Sequence, residues 1–110
     1  MKIDFYQKAW ETEEEIRSYY THLHRYPELS GQEYKTQKWI LGQLKEWKVE
    51  CRPCADTGVY AVIRSGRPGH TVALRADMDA LPVTEQTGLA WQSENAGVMH
   101  ACGHDVHMAV

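Results

Sequence analysis

Three of the chain's six histidines and one of its three cysteines fall within eight residues, His100-Ala101-Cys102-Gly103-His104-Asp105-Val106-His107. Thiolate and imidazole are the donors preferred by zinc and its borderline-soft neighbours. Cys102 and His104 share a side if the backbone is extended there, and Gly103 between them permits a sharp turn. Asp105 can orient a ligand imidazole through its carboxylate. His107 lies three residues after His104 and would share a helix face with it, while His100 is a further donor close by. The same run also suits an ordinary helix start, with Asp105 complementing the dipole. Cys-x-His alone is not a complete structural zinc pattern, which takes four ligands.

A second group, Leu74-Arg75-Ala76-Asp77-Met78-Asp79-Ala80-Leu81-Pro82, places two aspartates where an apolar strand ends. In α/β sheets that is where sites are built. Asp77 and Asp79 share a side while the backbone is extended, although aspartate is also an ordinary turn residue. Cys51-Arg52-Pro53-Cys54 has the spacing of a dithiol redox site. The turn-like Ala55-Asp56-Thr57-Gly58 after it is not the helix such a site opens. His22 and His24 fall at a helix end, where one suits the dipole and the other the surface or core.

Positioning these groups falls to a small set of elements. A helix is expected from Thr12 to near Arg25, opened by a capping box of Thr12 with Glu15 and closed before Pro27. Ile16, Tyr19, Tyr20 and Leu23 form its apolar stripe. A second helix follows a box of Ser30 with Glu33 and runs to about Lys48, with Ile40, Leu41, Leu44 and Trp47 on one side. Gly42 within it suggests a close neighbour. Residues 59–64 and 71–74 are β-rich, and the turn-rich link 65–70 predicts that they pair as antiparallel strands. A short strand is expected near residues 50–52. Residues 80–98 read as irregular around Pro82, Gly88 and Gly97, with Trp91 as a packing anchor. A last helix starts at Gly103. The order is that of an α/β protein.

At 110 residues with net charge −3, the chain holds one domain at most. Its 43% hydrophobic and 25% charged residues are those of a globular protein. No basic tract argues for nucleic acid, and the longest apolar run, residues 59–63, is far below a membrane span of about 20 residues. No signal-peptide stretch opens the sequence and three cysteines do not make a disulfide framework, so a cytoplasmic setting is expected. The last helix carries apolar Met108, Ala109 and Val110 without a stop signal, which predicts a segment of a longer domain, prone to self-association through residues 59–63 and 108–110.

Taken with Leu23-His24-Arg25-Tyr26-Pro27-Glu28-Leu29-Ser30, these motifs resemble the amino-terminal segment of a metal-dependent amidohydrolase family. That family includes hippurate hydrolases, N-acyl-amino-acid deacetylases and auxin-conjugate hydrolases, and is related to aminoacylase. The resemblance implies an α/β fold, here the incomplete zinc-peptidase-like catalytic domain over residues 1–110, whose antiparallel strand pair sits within a mixed sheet. A lid or dimerisation domain would be absent. It implies two zinc or manganese ions in the intact site, a small N-acyl amino acid as substrate, and Cys102 and His104 as metal ligands. Asp77 matches an aspartate of the wider group, while Arg75 stands where that group has a metal-binding histidine, so Asp77 is kept as a candidate and Arg75 is not. The family's general-base Glu lies beyond residue 110, and Glu13, Glu14 and Glu15 cannot replace it. The chain alone is therefore expected to be inactive. A non-catalytic binding or self-assembling module is the alternative, and a dithiol protein using Cys51 and Cys54 the third.

Overall fold

The computed structural model describes residues 2–110. Four helices and one hairpin follow in the order α1 (Phe5–Glu11), α2 (Glu13–Arg25), α3 (Tyr34–Glu46), β1 (Glu50–Cys54), β2 (Gly58–Val62) and α4 (His104–Ala109). The class is α/β, as the sequence predicts.

Helix α1 was not expected. Asp4 caps it by accepting the Gln7 N–H at 3.1 Å, and it buries no residue. Its presence undoes the expected Thr12–Glu15 capping box. The Thr12 hydroxyl donates backwards to the Lys8 and Ala9 carbonyls, at 3.2 and 3.1 Å, and Glu15 takes the Tyr19 hydroxyl instead. The stripe on α2 is as expected: Ile16, Tyr19 and Tyr20 are half-buried and Leu23 is buried.

Helix α3 starts later than its expected box. Ser30 caps nothing, and Glu33 precedes the helix without a capping bond from its side chain. Glu28 does that work from outside: its carboxylate accepts the Thr36 N–H at 2.6 Å, the Thr36 hydroxyl at 2.7 Å and the Lys35 N–H at 3.2 Å. A carboxylate there is favoured by the unpaired N–H groups and the dipole. Gly42 has nothing within 4 Å of where a Cβ would stand, so no close neighbour accounts for it.

The strand pair is antiparallel but has a different partner from the one expected. β2 pairs with β1, from Glu50↔Val62 to Cys54↔Gly58. Residues 71–74 lie outside any strand and are exposed. The tight turn uses positive φ at Ala55 (48°) and Asp56 (66°). Gln37 on α3 pins it by donating to the Asp56 and Gly58 carbonyls, both at 2.8 Å. A Cβ at Gly58 would meet the Cys54 carbonyl oxygen at 2.9 Å, so the position takes glycine. Across the pair Arg52 lies 4.7 Å over the Tyr60 ring.

Residues 80–98 are irregular, as expected, yet firmly tied. Ala80 N–H donates to the Glu28 carbonyl at 2.8 Å, in a parallel bridge of Leu29 with Ala80. Leu81 and Met99 exchange two backbone bonds in an antiparallel bridge. Glu94 N–H reaches the Arg25 carbonyl at 2.8 Å, and the Asn95 amide reaches that of Pro27 at 3.0 Å. The small core of Leu23, Pro27, Ala80, Val98 and Ala109 forms where these ties meet α2 and α4. No described helix is long and apolar enough to cross a membrane.

Candidate metal centre

Gly103, at φ 113°, turns the chain from the extended Met99 region into α4. A side chain is strained at that φ, so glycine is what lets Cys102 and His104 flank the turn. Cys102 is exposed with a free thiol. The His104 Nδ1 lies 2.9 Å from the Asp79 carbonyl oxygen and 3.1 Å from its carboxylate. A carbonyl can only accept, so Nδ1 carries a proton, and in the neutral ring Nε2 then holds the lone pair. Nε2 is 4.0 Å from Asp77 Oδ2, beyond hydrogen-bond length. This is the arrangement in which an outer carbonyl fixes the tautomer of a ligand imidazole.

Asp77 is exposed, and one of its oxygens is taken by Arg75 at 2.8 Å. Asp77, Asp79, Arg75 and His104 line an open cleft of about 560 Å³ together with Ser30 and Glu33. The two sequence clusters therefore meet, through Asp79 and His104. His107 is exposed on α4 and does not join them. His100 is buried, 4% exposed, and neither of its ring nitrogens has a partner. Burial, more than its charged neighbours, pushes its pKa below the ordinary 6.5 and keeps it neutral.

Asp105 points the other way, into the protein. Its Oδ2 is 2.7 Å from Nδ1 of His24, whose Nε2 is 2.9 Å from Glu85 Oε1. All three side chains are at least 95% buried. Burial opposes the charge on His24, but the bonds to Asp105 and Glu85 outweigh it and raise its pKa above 6.5. Burial likewise pushes Glu85 up, and bonds from Thr87, Ser93 and His24 bring it below its ordinary 4.5. Sequence reasoning did not find this pairing: residues 24, 85 and 105 share no local pattern. Cys51 and Cys54 are free thiols on β1, where residues three apart face opposite sides of a strand.

By donor type Cys102 and His104 suit a divalent metal, and of the two only His104 lines the cleft. Among the described residues no three His, Cys, Asp or Glu side chains converge to hold a cation by themselves.

Residues 73–110 match Peptidase family M20/M25/M40. In sequence and in fold the chain is similar to proteins of that family, among them deacetylases of N-acyl amino acids and a dinuclear metal binding peptidase. It is 53% identical over 89 residues to N-acetyl-L-cysteine deacetylase of Bacillus subtilis, a match covering 80% of this chain and 21% of the relative. It is 42% identical over 103 residues to N-acetyldiaminopimelate deacetylase of Leuconostoc mesenteroides, covering 89% and 27%. Among solved structures, a dinuclear metal binding peptidase of the M20 family from Bacillus subtilis superposes with TM-score 0.82 at 44% identity, over 93% of this chain and 29% of that one. The chain thus spans about a quarter of the length of the relatives it matches.

Proposed function

We propose that this chain supplies two ligands, Cys102 and His104, to a zinc or manganese centre that hydrolyses the amide of N-acyl amino acids. The observation that carries the reading is His104, its Nδ1 tied to the Asp79 carbonyl and its Nε2 beyond hydrogen-bond length of Asp77. The deacetylase names of the relatives point to the amide of an acylated amino acid as the bond cleaved. A bound divalent ion supplies Lewis acidity and lowers the pKa of water from 15.7 to about 7. The chain's own part is orientation: Asp79 fixes the ring of His104, Arg75 holds Asp77 at the cleft wall, and Gly103 sets the turn. The three free thiols suit a reducing, cytoplasmic setting.

By itself the chain is proposed to be inactive, because two protein ligands hold an ion loosely and the glutamates of α2 do not line the cleft, where Glu33 is the one glutamate. Purified chain with zinc or manganese should leave hippurate and N-acetyl amino acids intact, and calorimetry should give weak zinc binding that Cys102→Ser abolishes. Metal-dependent turnover lost in Cys102→Ser would refute the inactivity. Zinc binding unaffected by Cys102→Ser and His104→Ala would refute the ligand assignment.

A second reading, a self-assembling module, is favoured by the exposure of Ile63 (86%), Val72 (80%) and Leu74 (97%). Apolar patches and open strand edges tend to find partners. Sedimentation over a range of concentrations is expected to show association; a monomer throughout counts against it.

A further inference from the structure

His24 occupies the last turn of α2, and both of its ring nitrogens face carboxylates: Asp105 at 2.7 Å and Glu85 at 2.9 Å. A neutral imidazole has one N–H, and would leave one ionised carboxylate opposite a lone pair; the doubly protonated ring satisfies both. Each carboxylate is also held from its own side. Asp105 Oδ1 accepts the Val106 N–H at 2.9 Å, inside the first turn of α4. Glu85 accepts the Ser93 N–H at 2.9 Å and the Thr87 hydroxyl. One ring thereby joins three segments distant in sequence: α2, the 85–93 loop and the start of α4. Asp105 directly follows His104. The outer side of that turn, at Cys102 and Gly103, is exposed to solvent, so its direction is set from the inner side.

We propose that His24 is a positioning residue of the candidate metal centre: by gripping Asp105 on one nitrogen and Glu85 on the other, it sets how the Cys102-Gly103-His104 turn presents its donor atoms. The consequence for metal binding rests on the ligand assignment made above; the grip on the turn does not. Without the ring, Asp105 loses the partner that fixes its side chain, and the first turn of α4 loses its anchor to α2. Partners bonded directly to metal ligands are worth about 10- to 100-fold in affinity; His24 acts one residue further out, through Asp105, so the lower end of that range is the effect expected here.

The test uses the 110-residue chain with cobalt(II) as the probe, read by thiolate-to-cobalt absorption. Without metal, amide hydrogen exchange is read at Val106 and His107. His24→Phe removes both donors, and His24→Gln keeps one. His24→Phe is expected to weaken cobalt binding about 10-fold and to lose protection at both amides, with His24→Gln in between. Unchanged affinity in folded His24→Phe overturns the positioning role, even where protection is lost, since His24 would then be structural only. If His24→Phe does not fold, Glu85→Gln and Asp105→Asn are added to remove the orphaned charges, and the triple variant is judged by the same two readouts. A wild-type chain with no thiolate–cobalt band refutes the ligand assignment instead; protection at Val106 and His107 then decides alone whether His24 holds the turn.

Discussion

Two buried histidines a few residues from one another in space carry opposite charge preferences. His24, bonded on both sides, is held above 6.5; its contribution to stability is complete below about 6.5 and is lost as pH rises through its raised value. Glu85, held below 4.5, contributes fully above 4.5 and ceases to as pH falls through its lowered value. His100 runs the other way. Its pKa lies below 6.5, so the unfolded chain binds its proton first, and His100 weakens the fold as pH falls below about 6.5. It also carries two unpartnered nitrogens, and a buried polar group without a partner costs roughly 1–3 kcal/mol. His100→Leu, which removes both costs, is therefore expected to raise the melting temperature, and by a wider margin below about pH 6.5 than above it. Melting curves of the two chains across that range check this; a variant less stable than the wild type in acid would contradict it.

The start of α3 hangs on Glu28, six residues before the helix begins. Glu28→Ala strips two backbone N–H groups and the Thr36 hydroxyl of their acceptor, and is expected to cost about 1–3 kcal/mol. Ser30→Ala, at the residue the sequence pattern singles out, is expected to stay within about 0.5 kcal/mol. Denaturant unfolding distinguishes them; a Ser30→Ala loss as large as that of Glu28→Ala would mean that the cap is misassigned. The contrast shows what was legible. Apolar periodicity located α2 and α3, because Ile16, Tyr19, Tyr20 and Leu23 sit on one face whatever begins the helix. The first capping box failed because its oxygen is used elsewhere, Thr12 bonding back to α1; at the second, Glu28 caps α3 in place of Ser30. The hairpin partner failed because β-propensity marks residues 71–74 without supplying a neighbour. The 50–54 segment does pair, through the turn-like Ala55-Asp56-Thr57-Gly58 already visible in the sequence, with positive φ at Ala55 and Asp56. Of the candidate centre, spacing marked Cys102 and His104 as a donor cluster and left Asp77 and Asp79 open between a site and a turn; the ligand role of Cys102 and His104 came from the family resemblance. The Asp79 carbonyl and the His24 grip were not legible, since a backbone oxygen and contacts 61 and 81 residues apart leave no local signature.

At the scale of the whole molecule, hydrogen bonds join the two halves of the chain along one short stretch, beside the packing of α4 on α2. Backbone atoms of Arg25, Pro27 and Glu28 receive Glu94, Asn95 and Ala80, and His24 receives Glu85 and Asp105. The intervening residues, from Ile63 to Asp77, lie exposed and take no part in that seam. Arg64 and Arg75, with side chains 72% and 87% exposed, stand at either end of this stretch. Trypsin is expected to cut there first, since exposed segments outside regular structure are preferred sites of nicking. The seam predicts what happens next: the pieces ending at Arg64 and beginning at Ala76 should stay together as a non-covalent pair, eluting as one species under native conditions and separating in denaturant. Pieces that part under native conditions would count against the seam. The covalent link between the halves is thus dispensable to the fold once formed, and the same two pieces made separately should reassemble on mixing.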